Sequence, residues 1–122
     1  MNKSIHKLLS VLFVFGVCFP PVTAFGSMQE EISHLLNFIE TSDCIFVRNG
    51  SRHDPKEAVK HIEKKYNYLK KRIKSTEDFI KGAATGSSIS GRPYMIICND
   101  KEMKTADWLT AELKIYRSQS DF

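Results

Sequence analysis

Residues able to bind an anion cluster in the first half of this chain of 122 residues. Arg48 and Asn49 end an apolar run, and His53 precedes Asp54-Pro55, a sequence typical of a helix start. An arginine presents a fork of hydrogen-bond donors, and a helix N-terminus carries a partial positive charge. The sequence therefore predicts a polar anion-binding patch in this region.

The same region contains residue types that can bind a metal. Glu57 and His61 are four residues apart, hence on one face of the predicted helix, and His53 can approach both. The spacing of the HExxH motif is absent, so we predict neither a metal nor a cofactor. The simpler alternative for this cluster is a surface ion pair between Arg48 and Glu57, with the histidines ordering a turn.

A second group of donors lies in the segment 87–93, which is too rich in Ser, Gly and Pro for a helix or strand. We predict a loop that leads into a strand. Its hydroxyls, backbone N–H groups and arginine can extend the anion-binding patch. The predicted patch consists of Arg48, Asn49, His53, Ser88, Ser90 and Arg92.

A small hydrolase is the alternative from a different class, with Ser88 as nucleophile and His53 or His61 as base. The strand-to-helix motif GxSxG, which positions many nucleophilic serines, is absent. No catalytic residue is therefore predicted outside this alternative. A third possibility is a purely structural factor of the cell envelope that binds no small ligand.

The first 24 residues have the three parts of a secretory signal peptide. Two lysines form the positive start, Leu8–Phe19 is apolar but shorter than the about 20 residues of a membrane span, and Val22-Thr23-Ala24 offers a cleavage site. An uncleaved anchor is the alternative. We expect a periplasmic or secreted protein without a stable membrane anchor, and one domain over residues 25–122.

Cleavage changes the charge balance of the chain. It removes two of the 18 basic residues and leaves 16 against 14 acidic ones, a net charge of +2 instead of +4. Such a small excess is a poor footprint for nucleic acid, so nucleic acid is not an expected partner. The expected partner is an envelope component or a small anionic ligand, and the oligomeric state is left open.

Two cysteines remain after cleavage, Cys44 and Cys98. Cys44 begins a short apolar run and Cys98 ends another, and both runs predict strands. If these strands pair antiparallel, the two sulfurs meet. An even pair of cysteines in an oxidising compartment most simply forms a disulfide, whereas the lack of CxxC spacing makes a metal site a weak alternative.

Apolar spacing predicts four helices beside these two strands. The second has the clearest start, with Asp54 as its N-cap, Pro55 at its first position and Glu57 placed as in a capping box. The predicted fold is a small α+β domain with a two-stranded antiparallel sheet. The helices are expected at about 28–41, 55–74, 76–86 and 105–117.

Many of these residues together resemble the DUF5329 family, exported bacterial proteins of unknown function. The likeness spans about residues 32–116. It implies one exported α+β domain, most simply periplasmic, and a shared site around the Arg48-Asn49-Gly50 turn, His53 and the serine-rich loop. It implies no reaction. The matching residues are Phe46-Val47-Arg48-Asn49-Gly50, His53, Glu57-Ala58, His61-Ile62, Lys65, Glu77-Asp78-Phe79-Ile80, Ala84, Ser87-Ser88, Ser90-Gly91 and Pro93-Tyr94.

Overall fold

The structure is a computed structural model that describes Val14, Gly16 and residues 24–119. The predicted signal peptide, residues 1–24, lies almost entirely outside the described residues. The helices are α1 (Ala24–Glu40), α2 (Pro55–Leu69), α3 (Thr76–Ala83) and α4 (Thr105–Gln119), with a 3₁₀ helix at Lys70–Arg72. The strands are β1 (Ile45–Arg48), β2 (Ser51–His53), β3 (Met95–Cys98) and β4 (Lys101–Lys104).

The α+β class and the four predicted helices are confirmed, but the sheet differs from the prediction. It has four antiparallel strands in the order β2-β1-β3-β4, not two. β1 and β3 are the predicted pair and form its centre. β2 and β4 are short, polar and largely exposed, so they lack the apolar pattern that would have predicted them.

Each added strand is joined to its neighbour by a two-residue turn. Asn49-Gly50 connects β1 to β2, and Asn99-Asp100 connects β3 to β4. All four residues have positive φ angles, from 50° to 81°, which is the conformation of a type I′ hairpin turn. The Asn49-Gly50 turn signal therefore marks a hairpin, not only the end of a strand.

The core lies between the four helices and one face of the sheet. Strand alternation points Phe46 of β1 and Ile96 of β3 to this face, where they are 5% and 0% exposed. The helices close it with side chains that are fully buried, at 0% exposure. These are Leu35, Ile39, Phe79, Ala83 and Leu109, and Ala84, directly after α3, is equally buried.

The predicted disulfide between Cys44 and Cys98 is present, with 4.6 Å between the Cα atoms. The β1–β3 register pairs Ile45 with Ile97, which places Cys44, one residue before β1, opposite the last residue of β3. The bond spans 54 positions of sequence. In the chain-entropy model, a loop of this length stabilises the fold by about 4 kcal/mol.

A buried carboxylate joins three helices. Glu31 of α1 is 8% exposed and accepts hydrogen bonds from Arg117 of α4, at 2.7 Å from Nε and 3.0 Å from Nη2. It also accepts one from the Thr76 hydroxyl at the start of α3. The hydrogen bonds from Arg117 lower the pKa of Glu31, so this carboxylate is charged and fully partnered.

We expect the double variant Cys44→Ser/Cys98→Ser to lose about 4 kcal/mol of unfolding free energy, because its unfolded chain regains the entropy that the cross-link removes. Urea unfolding without reductant measures the loss. The wild-type protein treated with reductant is the matched control and should lose a similar amount. A loss below about 1 kcal/mol would contradict a stabilising role for the bond.

Candidate functional site

A pocket of about 330 Å³ opens between α2 and the β1–β2 hairpin. This volume lies at the lower end of the roughly 300–1,000 Å³ typical of small-molecule sites. Its wall combines apolar and basic side chains with two histidines and one carboxylate. The apolar residues are Phe46, Val47, Ala58 and Ile62, and the lysines and arginine are Arg48, Lys60 and Lys64.

Strand pairing explains why residues from three segments share this wall. Phe46 pairs with His53 of β2 on one side and with Ile96 of β3 on the other. Cross-strand partners project to the same face of a sheet. The β1–β3 register, continued by one pair, places Tyr94 beside Arg48. The face that buries Phe46 therefore also carries Arg48, His53 and Tyr94 toward the pocket.

Local hydrogen bonds fix the start of α2 at the pocket. Asp54 accepts a bond of 2.8 Å from the backbone N–H of Glu57, and Pro55 fills the first helical position, as predicted. The Glu57 carboxylate does not complete a capping box or pair with Arg48. It lies 2.9 Å from His53 Nδ1, and because a carboxylate only accepts, the ring N–H donates. This leaves His53 Nε2 for the pocket.

The Tyr94 hydroxyl joins two basic residues of α2. It lies 2.8 Å from His61 Nε2 and accepts a bond of 3.3 Å from Lys65 Nζ, which also donates to the Gly86 carbonyl at 2.7 Å. Burial, reinforced by the charge of Arg48, lowers the pKa of His61 to about 4. Burial also lowers the pKa of Lys65 and raises that of Tyr94. His61 is therefore neutral at neutral pH.

Two buried polar atoms of the pocket have no hydrogen-bond partner among the described residues, Thr105 Oγ1 and His53 Nε2. Thr105 is 0% exposed, and its backbone N–H donates to the Tyr94 carbonyl at 2.9 Å. A buried hydroxyl without a partner destabilises a fold by roughly 1–3 kcal/mol, and such groups are rare in native proteins. A group that enters the pocket can supply the missing partner.

The serine-rich loop binds to the hairpin turn. The Ser90 hydroxyl donates to Asn49 Oδ1 at 2.6 Å, and Asn49 Nδ2 donates to Ser87 Oγ at 3.3 Å. The loop base is tight, because a Cβ on Gly86 would lie 2.8 Å from the Arg92 carbonyl oxygen. We call these contacts of Asn49, Ser87 and Ser90 the loop clamp. In the loop clamp these polar side chains hydrogen-bond to one another and not to a group from outside the protein.

The predicted patch is thus divided between two places. Arg48, His53 and the alternative base His61 line the pocket. Asn49 and Ser90 belong to the loop clamp, while Ser88 and Arg92 are exposed on the loop. Ser88 makes no hydrogen bond to either imidazole within the described part of the chain.

The sequence did not single out Lys65, Tyr94 and Thr105 as site residues. Tyr94 begins a predicted strand and Thr105 a predicted helix, and Lys65 belongs to a lysine-rich helix face that is typical of a solvated surface. Their places in the site depend on the packing of α2 over the sheet. Local spacing gave no signal for them, although Lys65 and Tyr94 are among the residues that carry the family resemblance.

These features define a class of protein, an α+β domain with a disulfide at one end of its central strand pair and a pocket with an apolar wall and basic side chains. Among residues 24–119, no group of three or more His, Cys, Asp or Glu side chains is arranged to hold a metal ion. No helix in that part of the chain has the length and apolar character needed to cross a membrane.

The sequence matches the family of unknown function DUF5329 over residues 26–117, and the chain belongs to this family, as its resemblance predicted. It is also similar to the uncharacterized protein YfeK of Salmonella typhimurium. The two are 39% identical over 97 residues, which cover 77% of each chain. No solved structure matches the chain.

We expect Thr105→Val to raise the unfolding free energy by about 1 kcal/mol, because a methyl group replaces an unpartnered buried hydroxyl. Thr76→Val is the matched control. Thr76 is 1% exposed, but its hydroxyl donates to Glu31, so this variant should lose about 1–3 kcal/mol. Urea unfolding measures both. A loss in Thr105→Val as large as in the control would contradict an unpartnered hydroxyl.

The His61 ring should remain neutral down to about pH 4, since burial and the facing charges of Arg48, Lys65 and Lys64 disfavour its protonation. Because this pKa lies below the ordinary 6.5, the unfolded chain takes up the proton first, and stability falls as the pH drops from 6.5 to 4. NMR titration of the imidazole measures the pKa. Arg48→Met should raise it, and a wild-type value near 6.5 would contradict the burial of the ring.

Proposed function

We propose that the protein is an exported binding module, periplasmic or secreted, whose pocket beside α2 binds a small ligand through an anionic group. The single observation that carries this proposal is an unpartnered buried hydroxyl, Thr105 Oγ1, which can donate to an anion in a pocket that Arg48 also lines. The other unpartnered atom, His53 Nε2, is an acceptor in the neutral ring that donates from Nδ1 to Glu57, so its partner would be a donor group of the ligand. Export is supported by the signal-like start of the sequence and by the disulfide, which persists in oxidising compartments.

The charge of the wall supports an anionic ligand. Arg48, Lys60 and Lys64 line the pocket together with one carboxylate, that of Glu57, which is already hydrogen-bonded to His53. The excess of positive charge attracts anions, and the fork of Arg48 matches the oxygens of a carboxylate or phosphate. Since Arg48 is partly buried beside apolar neighbours, its interaction with an anion is less weakened by water than on an open surface.

The arrangement supports binding more than hydrolysis. Ser88 is exposed on its loop and does not line the pocket, whereas a nucleophile needs its base within hydrogen-bond reach. His61 already contacts Tyr94 through Nε2, and its low pKa makes it a weak base. A purely structural role would not account for the unpartnered atoms in the pocket.

Arg48→Met should weaken the binding of acetate and inorganic phosphate about tenfold, because it removes the forked cation from the pocket. Arg92→Met is the matched control, since Arg92 belongs to the predicted patch but is exposed outside the pocket, and it should bind as the wild type does. NMR chemical-shift titration measures both affinities. If Arg92→Met lost binding and Arg48→Met kept it, the anion site would lie on the serine-rich loop instead.

A further inference from the structure

A small inorganic ion would gain no binding free energy from the apolar part of the pocket wall. Phe46, Ala58 and Ile62 line it and are 5%, 8% and 3% exposed. Because these side chains keep little surface of their own exposed, an apolar group that enters beside them gains free energy mainly by removing its own surface from water. The pocket therefore offers two kinds of surface to one ligand, basic side chains and an apolar wall.

We infer, resting on the proposed function, that the ligand is a single-tailed anionic amphiphile, a carboxylate carried on an apolar body. The carboxylate lies at Arg48 and accepts a hydrogen bond from the Thr105 hydroxyl, and the body covers Phe46 and Ala58. A carboxylate has two oxygens, which the arginine fork and one hydroxyl satisfy with few further donors.

The volume of the pocket indicates how long an apolar chain it can enclose. At about 30 Å³ for each water-sized group, a volume of about 330 Å³ holds roughly ten non-hydrogen atoms. Octanoate, with an eight-carbon chain and two oxygens, has this size. It is the probe that fills the pocket, whereas butanoate leaves much of the apolar wall uncovered.

Isothermal titration calorimetry with butanoate, hexanoate and octanoate tests the inference on the purified protein. Each added methylene should tighten binding about fourfold as its own surface leaves water. The uncharged 1-octanol should bind about tenfold more weakly than octanoate, because it lacks the charge that Arg48 recognises. Inorganic phosphate, which has no apolar body, should also bind more weakly than octanoate.

A blocking variant tests the apolar wall directly. Ala58→Leu should fill the pocket beside Phe46 and weaken octanoate binding about tenfold, while butanoate binding changes less. Ala111→Leu, at an exposed position of α4, is the matched control and should bind octanoate as the wild type does. Because the alkanoate series on the wild-type protein needs no variant, the test holds even if Ala58→Leu does not fold.

The outcomes separate the two proposals. If butanoate or phosphate bound in an Arg48-dependent way and longer alkanoates bound no more tightly, the amphiphile would be overturned and the anion site would stand. If 1-octanol bound as tightly as octanoate, the charge would have no role and both proposals would fail. Both would also fail if none of these probes bound.

Discussion

The pairing of β1 with β3, fixed at one end by the Cys44–Cys98 disulfide, is the constraint on which the pocket depends. A slip of one residue would turn every side chain of a strand to the opposite face. The cross-link excludes that slip, because the cysteines meet only in the observed register. The same register places Arg48 beside Tyr94 at the other end of the pair. A covalent bond at one end of the sheet thus fixes the geometry of the basic site at the other.

Two buried polar groups, Glu31 and the Thr105 hydroxyl, differ in whether the fold supplies their hydrogen-bond partners. Glu31 is charged in the core, yet Arg117 and the Thr76 hydroxyl satisfy it completely. The fold therefore supplies hydrogen-bond partners to this buried carboxylate, although the partners come from two other helices. The Thr105 hydroxyl is as deeply buried and has none among the described residues. This contrast supports our proposal that the pocket binds a partner from outside.

The features predicted correctly from the sequence are those that local residue patterns determine. The four helices, the Asp54 cap, the two central strands and the disulfide follow from apolar spacing, cap residues and the paired cysteines. β2 and β4 could not be predicted, because short exposed strands carry no apolar period. In the candidate site, Arg48 and His53 were predicted from their chemistry. Tyr94 and Thr105 were not, since their roles arise only when α2 packs over the sheet.

The predicted patch was divided because polar residues near a site serve two different purposes. Arg48 and His53 face the pocket, while Asn49 and Ser90 join the hairpin turn to the loop before β3. Asn49 directly follows Arg48, so the loop clamp restrains the backbone that carries the guanidinium. The clamp residues thus support the pocket from outside it, and residue type alone cannot tell these two purposes apart.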